Sequence, residues 1–170
     1  MKSIADQYVI EPLNLKNDRG TFTCGVPGLD RYLKEQASQD IKRNIAAIFT
    51  AVHAGTKEIN GYYTISMTSV VFDLLPEDLA RKMPRYPSIP AVRLGRLAVH
   101  VKVKGQGLGT HMLMDSMKRS LKSEVAWAAF IVDAKDKAAV GFYKKFGFHS
   151  FPDNPKHLFI LRKTIEPLFG

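Results

Sequence analysis

The stretch Arg96-Leu97-Ala98-Val99-His100-Val101-Lys102-Val103-Lys104-Gly105-Gln106-Gly107-Leu108-Gly109-Thr110-His111 decides the fold. Alternating apolar residues predict a strand, which runs into a glycine-rich turn and then into a helical pattern. Gly105, Gly107 and Gly109 let the backbone turn sharply and bring N–H groups close to a ligand with no Cβ in the way. A helix starting near Gly107 adds unpaired N–H groups and the positive end of its dipole. Together these predict an anion cradle suited to a phosphate or pyrophosphate. A P-loop is excluded, because Gly109 is followed by Thr110 and His111 with no lysine. The Gly-x-Gly-x-Gly spacing also departs from the Gly-x-Gly-x-x-Gly of a dinucleotide fold. By itself the segment suits a plain strand-to-helix turn as well.

Working outward, Leu108, Met112, Leu113, Met117 and Leu121 keep helical spacing to about Lys122, which assigns the methionines to the core. Upstream, 29–41 reads as an amphipathic helix with Leu29, Leu33 and Ala37 on one face and Asp30 in its first turn. Strands are predicted at 45–53 and 61–68, joined as a hairpin through Gly55 and Asn60-Gly61. Pro76-Glu77-Asp78 opens a helix that Pro84 ends near Met83. Three prolines make 83–90 an irregular loop, and the strand feeding the glycine turn spans 92–100 or slightly more. The apolar run 125–132, with Trp127, reads as a strand buried on both faces. A helix follows at 136–146, closed by Gly147, and 157–163 makes the last strand. The order α-β-β-α-β-α-β-α-β is an α/β layer architecture with a mixed sheet.

Composition narrows the class. A chain of 170 residues, 45% hydrophobic and 24% charged, suits one globular domain over 1–170 that needs no disulfide. Cys24 stands alone, so neither an internal disulfide nor a cysteine metal cluster is expected, which fits a reducing cytosol. The first eight residues are too polar for a signal peptide, and no apolar run approaches the ~20 residues of a membrane helix. The charge is +9, with a pI near 9.7. Through Pro90 there are 11 basic and 10 acidic residues; after it there are 14 and 6, so almost the whole excess accompanies the glycine turn. That asymmetry points to a polyanionic partner, nucleic acid first, or to a basic surface kept for solubility or an acidic protein.

These features together resemble the GNAT acetyltransferases. Their loop reads Arg/Gln-x-x-Gly-x-Gly/Ala, and Lys104-Gly105-Gln106-Gly107-Leu108-Gly109 occupies it, with lysine keeping the charge but losing arginine's planar fork. Asp136 to Phe148 resembles the family's last-helix pattern ending Phe-Tyr-x-x-x-Gly-Phe. The resemblance implies a GNAT fold: a mixed, mostly antiparallel central sheet flanked by helices, with acetyl-CoA held where neighbouring strands splay. It implies Tyr143 as the catalytic acid that protonates the departing thiolate, a role open to a phenol neutral at physiological pH. Cofactor binding falls to Leu97, Ala98 and Val99 through their backbone, to Lys104, Gly105, Gln106, Gly107, Leu108, Gly109 and Thr110 in the turn, and to Asp136 and Phe142. Asp136 stands where many relatives have asparagine, and helix capping suits an aspartate there. No metal is implied.

Finer features are similar to one branch. Cys24-Gly25-Val26-Pro27-Gly28-Leu29-Asp30-Arg31-Tyr32-Leu33, Gly61-Tyr62-Tyr63-Thr64 and Leu94-Gly95-Arg96-Leu97-Ala98-Val99 resemble the TacT-like toxins of type II toxin–antitoxin systems. That branch implies a cytoplasmic enzyme that acetylates the α-amino group of aminoacyl-tRNA and so blocks translation. It also implies a ribbon-helix-helix antitoxin, leaves room for a homodimer and involves no membrane. Arg93, Arg96, Lys144 and Lys145 are the expected tRNA contacts. The α-amino group of an aminoacyl ester is less basic than a lysine, and no carboxylate or histidine in the sequence marks itself as a general base. His100 and His111 read as structural or surface residues. Two other readings remain: an ordinary GNAT enzyme acting on a small amine or protein amine, and a non-enzymatic nucleic-acid-binding protein on the same fold.

Overall fold

A computed structural model describes residues 2–170. Short helix α1 (Ile4–Gln7) leads into strand β1 (Tyr8–Pro12), and α2 (Pro27–Arg31) continues through a wide π turn (Tyr32–Gln36) into α3 (Ala37–Lys42). Strands β2 (Ala47–His53) and β3 (Ile59–Val71) follow, then α4 (Glu77–Ala80), β4 (Ser88–Val99), α5 (Leu108–Leu121) and β5 (Ala129–Asp133). Helix α6 (Lys137–Lys145), β6 (His149–Phe151), β7 (Asn154–Leu161) and α7 (Arg162–Ile165) complete the chain. The seven strands are ordered β1-β2-β3-β4-β5-β7-β6. The β4–β5 pair is parallel, while β1–β2, β2–β3, β5–β7 and β6–β7 are antiparallel, so the sheet is mixed and mostly antiparallel.

The chain forms two compact units, one of residues up to Ser66 with Gly95–Ser116, the other of Met67–Leu94 with Met117–Gly170. In the first, Phe22, Tyr32, Leu33, Ala37, Ile48, Tyr62 and Ala98 build the core. Leu33 and Ala37 are both fully buried. Four-residue steps from Leu29 drift around a helix of 3.6 residues per turn, and the π turn, in which Ala37 N–H bonds the Tyr32 carbonyl, takes up that drift. Gly61 has a steric role: a Cβ there would lie 2.7 Å from Met112 Cε and 3.2 Å from the Ala98 carbonyl oxygen. In the second unit, Val70, Ile89, Ala91, Ala129, Ile131, Phe151 and Phe159 pack together.

Several boundaries differ from expectation for identifiable reasons. Helix α1, closed by a reciprocal Ser3–Asp6 capping box, and strand β1 are too short to register as periodic patterns. Strand β4 starts at Ser88 rather than at 92; Pro90 is tolerated because its carbonyl still accepts Ala128 N–H at 2.9 Å. It ends at Val99, because His100 accepts Lys102 N–H and closes a single 3-10 turn over Val101–Val103. Strand β5 begins at Ala129, not 125: Val125 is exposed and its N–H bonds Ser123 Oγ in a tight turn. Trp127 instead anchors that turn, its indole N–H on the Ser120 carbonyl at 2.9 Å and the Arg162 guanidinium 4.8 Å over its ring. The last expected strand, 157–163, is the second half of the β6–β7 hairpin, and Arg162 and Lys163 belong to α7.

Candidate functional site

The glycine turn is held at its entrance by His100. Its N–H donates to Asn60 O at 2.8 Å, its Nδ1 accepts from Lys102 N–H at 3.1 Å, and its Nε2 meets Thr21 O at 3.3 Å. An accepting Nδ1 leaves Nε2 as the donor, so the buried ring is fully used in structure. Val101 N–H bonds Thr23 O, and Lys104 Nζ donates to Cys24 O at 2.5 Å, which ties the turn to the 23–24 segment. Gly105 and Gly107 have φ of +78° and +94°, in the left-handed region that glycine alone enters freely. Nothing lies within 4 Å of where a Cβ would stand on either. Leu108 is buried and pins the first turn of α5, while Gln106 and the lysine stay exposed and Thr110 is half-buried. The turn leaves open space beside the backbone donors at the N-terminus of a 14-residue helix, which fits a pyrophosphate. The lysine's ammonium keeps two further N–H donors beyond the one on Cys24 O.

In the same unit, Arg96 lies 3.5 Å over the Tyr32 ring, and Tyr32 OH donates to Asp40 Oδ2 at 2.6 Å, with Gln36 Nε2 on the other oxygen at 3.1 Å. Burial, then the hydrogen bond to Asp40, pushes the Tyr32 phenol up; that same hydrogen bond holds Asp40 below the usual carboxylate range. Tyr32, Gln36 and Arg96, with Gly28, Arg31 and Glu35, line a cleft of about 290 Å³ that sequence spacing did not reveal. On β4, Ala98 is buried while Leu97 and Val99 are half-buried.

In the second unit, Asp136 caps α6 by accepting Ala139 N–H at 2.8 Å, and Gly147, at φ +91°, lets the chain leave. Tyr143 is only 6% exposed, its ring edge-on to Phe142 at 5.2 Å and Phe148 at 5.4 Å. Its hydroxyl has no hydrogen bond among the described residues. Burial and then the negative charge of Asp133 push the phenol well above its ordinary value, so it stays protonated at physiological pH. Lys144 and Lys145, next in the helix, are exposed and form no ion pair among the described residues. Arg93 differs: its guanidinium holds Asp133 Oδ2 at 2.5 Å, and His157 Nδ1 lies 2.5 Å from Oδ1.

Burial alone would raise Asp133, but the hydrogen bond to His157 and the charge of Arg93 outweigh it and the carboxyl sits low. A carboxyl that titrates lower folded than unfolded stabilises above the ordinary carboxylate range, and the contribution fades as pH falls through that range. Asp133→Asn should therefore shrink the loss of stability between about pH 5 and 2. The expected change is about 1 kcal/mol or less, because the partners are a third to a half exposed and solvent screens them. Urea unfolding at several pH values measures it; an unchanged acid limb contradicts it. Among the described residues no group of three or more His, Cys, Asp or Glu could hold a metal ion, and no helix is long and apolar enough to cross a membrane.

A glycine-cradled anion site before one helix and a buried neutral phenol on another are the parts a thioester-using acyltransferase needs. Residues 83–157 match the model of the acetyltransferase (GNAT) domain. The chain is 32% identical over 156 residues, 91% of its length and 92% of the relative's, to the tRNA-acetylating toxin of Mycobacterium tuberculosis. It therefore belongs to the GNAT acetyltransferases. Among solved structures, AtaT complexed with acetyl-methionyl-tRNAfMet superposes at a TM-score of 0.87 with 29% identity, over 96% of this chain and 99% of that one. An AtaT mutant toxin bound to the C-terminus of the antitoxin AtaR and acetyl-CoA gives 0.80 and 26%, again over 96% and 99%.

Proposed function

We propose that this protein is an acetyl-CoA-dependent N-acetyltransferase toxin that modifies the α-amino group of aminoacyl-tRNA in the cytoplasm, with residues 1–170 acting as one acetyltransferase domain. The observation that carries this reading is the similarity, over nine-tenths of the chain, to a tRNA-acetylating toxin. The open glycine turn fits the pyrophosphate of the donor, which when bound supplies the acetyl thioester. Backbone N–H groups from Gly105 to Thr110 would hold the phosphates, the backbone of Leu97 to Val99 would pair with the extended amide arm, and Asp136 and Phe142 would contribute to cofactor binding from α6. Tyr143, held protonated by burial, would be the proton donor for the departing thiolate. A ribbon-helix-helix antitoxin, like a second copy of the chain, belongs to this reading as a partner.

Labelled acetyl-CoA incubated with total charged tRNA should yield N-acetyl-aminoacyl-tRNA. Label on a protein or small amine instead would favour the ordinary acetyltransferase. For tRNA contacts, the exposed unpaired Lys144 and Lys145 outrank Arg93 and Arg96, whose charges are engaged by Asp133 and Tyr32. Affinity for charged tRNA should fall linearly on a logarithmic salt scale, because each neutralised phosphate releases counterions. Lys144→Glu with Lys145→Glu should lower that affinity by about tenfold or more and flatten the slope by roughly one to two counterions, leaving acetyl-CoA affinity unchanged. Full toxicity in the double variant, or affinity indifferent to salt, would contradict this footprint.

A further inference from the structure

Arg96 carries a charge that the first unit seats but leaves unpaired. Its side chain is half-buried, with the guanidinium carbon 3.5 Å from the centroid of the Tyr32 ring, yet it makes no hydrogen bond or ion pair among the described residues. Guanidinium groups held this way ordinarily spend their donors on oxygen, as Arg93 does on Asp133 and Arg162 on Glu166. Asp40, whose charge reaches Arg96, is occupied elsewhere: one oxygen accepts the Tyr32 hydroxyl at 2.6 Å and the other the Gln36 amide at 3.1 Å. The Tyr32 ring is buried and tied at its hydroxyl, so the surface on which the guanidinium rests is set before any ligand arrives. Stacking takes up the face of a guanidinium and leaves its edge, where all five N–H donors lie.

Arg96 lines the cleft of about 290 Å³ described above, and every lining residue belongs to the first unit. The π turn Tyr32–Gln36 contributes Tyr32, Glu35 and Gln36 to it, and α2 contributes Gly28 and Arg31. Such turns give up regular helix hydrogen bonding and recur where side chains serve a ligand. Two arginines against one glutamate leave the cleft with one positive charge in excess. A guanidinium edge matches the paired oxygens of a phosphate or carboxylate. A phosphodiester, with one negative charge, balances that excess, and Arg96 lies in the part of the chain that holds nearly all the surplus basic residues. Position agrees with chemistry. Arg96 and Ala98 project from the same side of β4, and Ala98 packs in one core with Tyr32. Leu97 lies between them. With the donor's phosphates at 105–110 and its arm running back along 99 to 97, the acyl end arrives beside Arg96.

We propose that Arg96, backed by Tyr32, binds the phosphodiester that precedes the terminal nucleoside of the aminoacylated RNA, so that this cleft holds the reacting end of the acceptor. This rests on the acetyl-transfer reading above. Tyr32 is the positioning residue, and Asp40 and Gln36 hold it in place. The ring engages only the face of the guanidinium, which leaves the edge to read one phosphate. The arrangement is invisible in sequence because 64 positions separate Tyr32 from Arg96.

The probes are a 3′-aminoacylamino-3′-deoxyadenosine carrying a 5′-methyl phosphate and the same compound with a free 5′-hydroxyl, each titrated calorimetrically into the full chain. The phosphate should tighten binding by about tenfold or more, as a paired charge-assisted contact does. Arg96→Gln should erase that gain while changing affinity for the phosphate-free probe by less than about threefold. Arg96→Lys keeps the charge but loses the fork, and should recover only part of the gain. Tyr32→Leu, its folding checked by circular dichroism, should shrink the gain with Arg96 still present, the mark of a positioning role. With charged tRNA, the effect of Arg96→Gln should fall on KM, raised roughly tenfold, rather than on kcat. A wild type that binds both probes alike, or a gain that survives in Arg96→Gln, overturns the assignment. Weakened acetyl-CoA binding in Arg96→Gln would give the guanidinium to a phosphate of the donor and overturn it too. No transfer to charged tRNA by a wild type that still prefers the phosphate-bearing probe sinks the functional reading and leaves the phosphodiester contact standing.

Discussion

Tyr143→Phe should slow acetyl transfer by roughly 10²–10⁴-fold, the range for a lost general acid, and leave acetyl-CoA affinity where it was. The phenyl ring fills the same space between Phe142 and Phe148, so the core around it keeps its packing. Only the hydroxyl is removed, and it holds no other group in place among the described residues. Burial and the charge of Asp133 both favour the neutral phenol, so the proton is present across the physiological range and well into alkaline pH. Wild-type activity should therefore show no alkaline loss near pH 10 from this group. Single-turnover transfer beside calorimetric acetyl-CoA binding separates the outcomes. Wild-type turnover in the variant would reduce Tyr143 to a packing residue.

Gly107→Glu should abolish acetyl-CoA binding. At φ +94° an L side chain costs about 1–2 kcal/mol of backbone strain, whatever the space around it. A Cβ there would meet nothing within 4 Å, and the longer side chain would extend into the open space proposed for the phosphates. Its carboxylate there repels the anion and occupies the helix-terminal donors. Gly107→Ala isolates the strain: it should fold, lose a little stability, and bind with affinity reduced less than tenfold. The readout is calorimetric binding on variants whose folding is checked by circular dichroism. Undiminished affinity in a folded Gly107→Glu would place the pyrophosphate elsewhere.

Local chemistry makes much of the fold legible in the sequence. A three-glycine turn at a helix start, an Asp cap followed by a helix ending at Gly147, and a hairpin turning at Gly55 are rules of a few residues that neighbours enforce, whereas Asn60-Gly61, also read as part of that turn, is paired inside β3. They sufficed to place α5, α6 and the β2–β3 pair to within a few residues. The chain's own letters also carried the excess charge after Pro90 and the candidate phenol. Tertiary structure decided whatever depends on partners far apart in the chain. Pro90 sits in a strand because its carbonyl meets Ala128, and Trp127 leaves the strand it seemed to belong to because Ser120 and Arg162 claim it. Arg96 is drawn over Tyr32, Arg93 is spent on Asp133, and His157 is turned into a carboxylate-backed imidazole. Periodicity cannot encode those pairings, since strand order β5-β7-β6 brings together residues that no spacing rule connects.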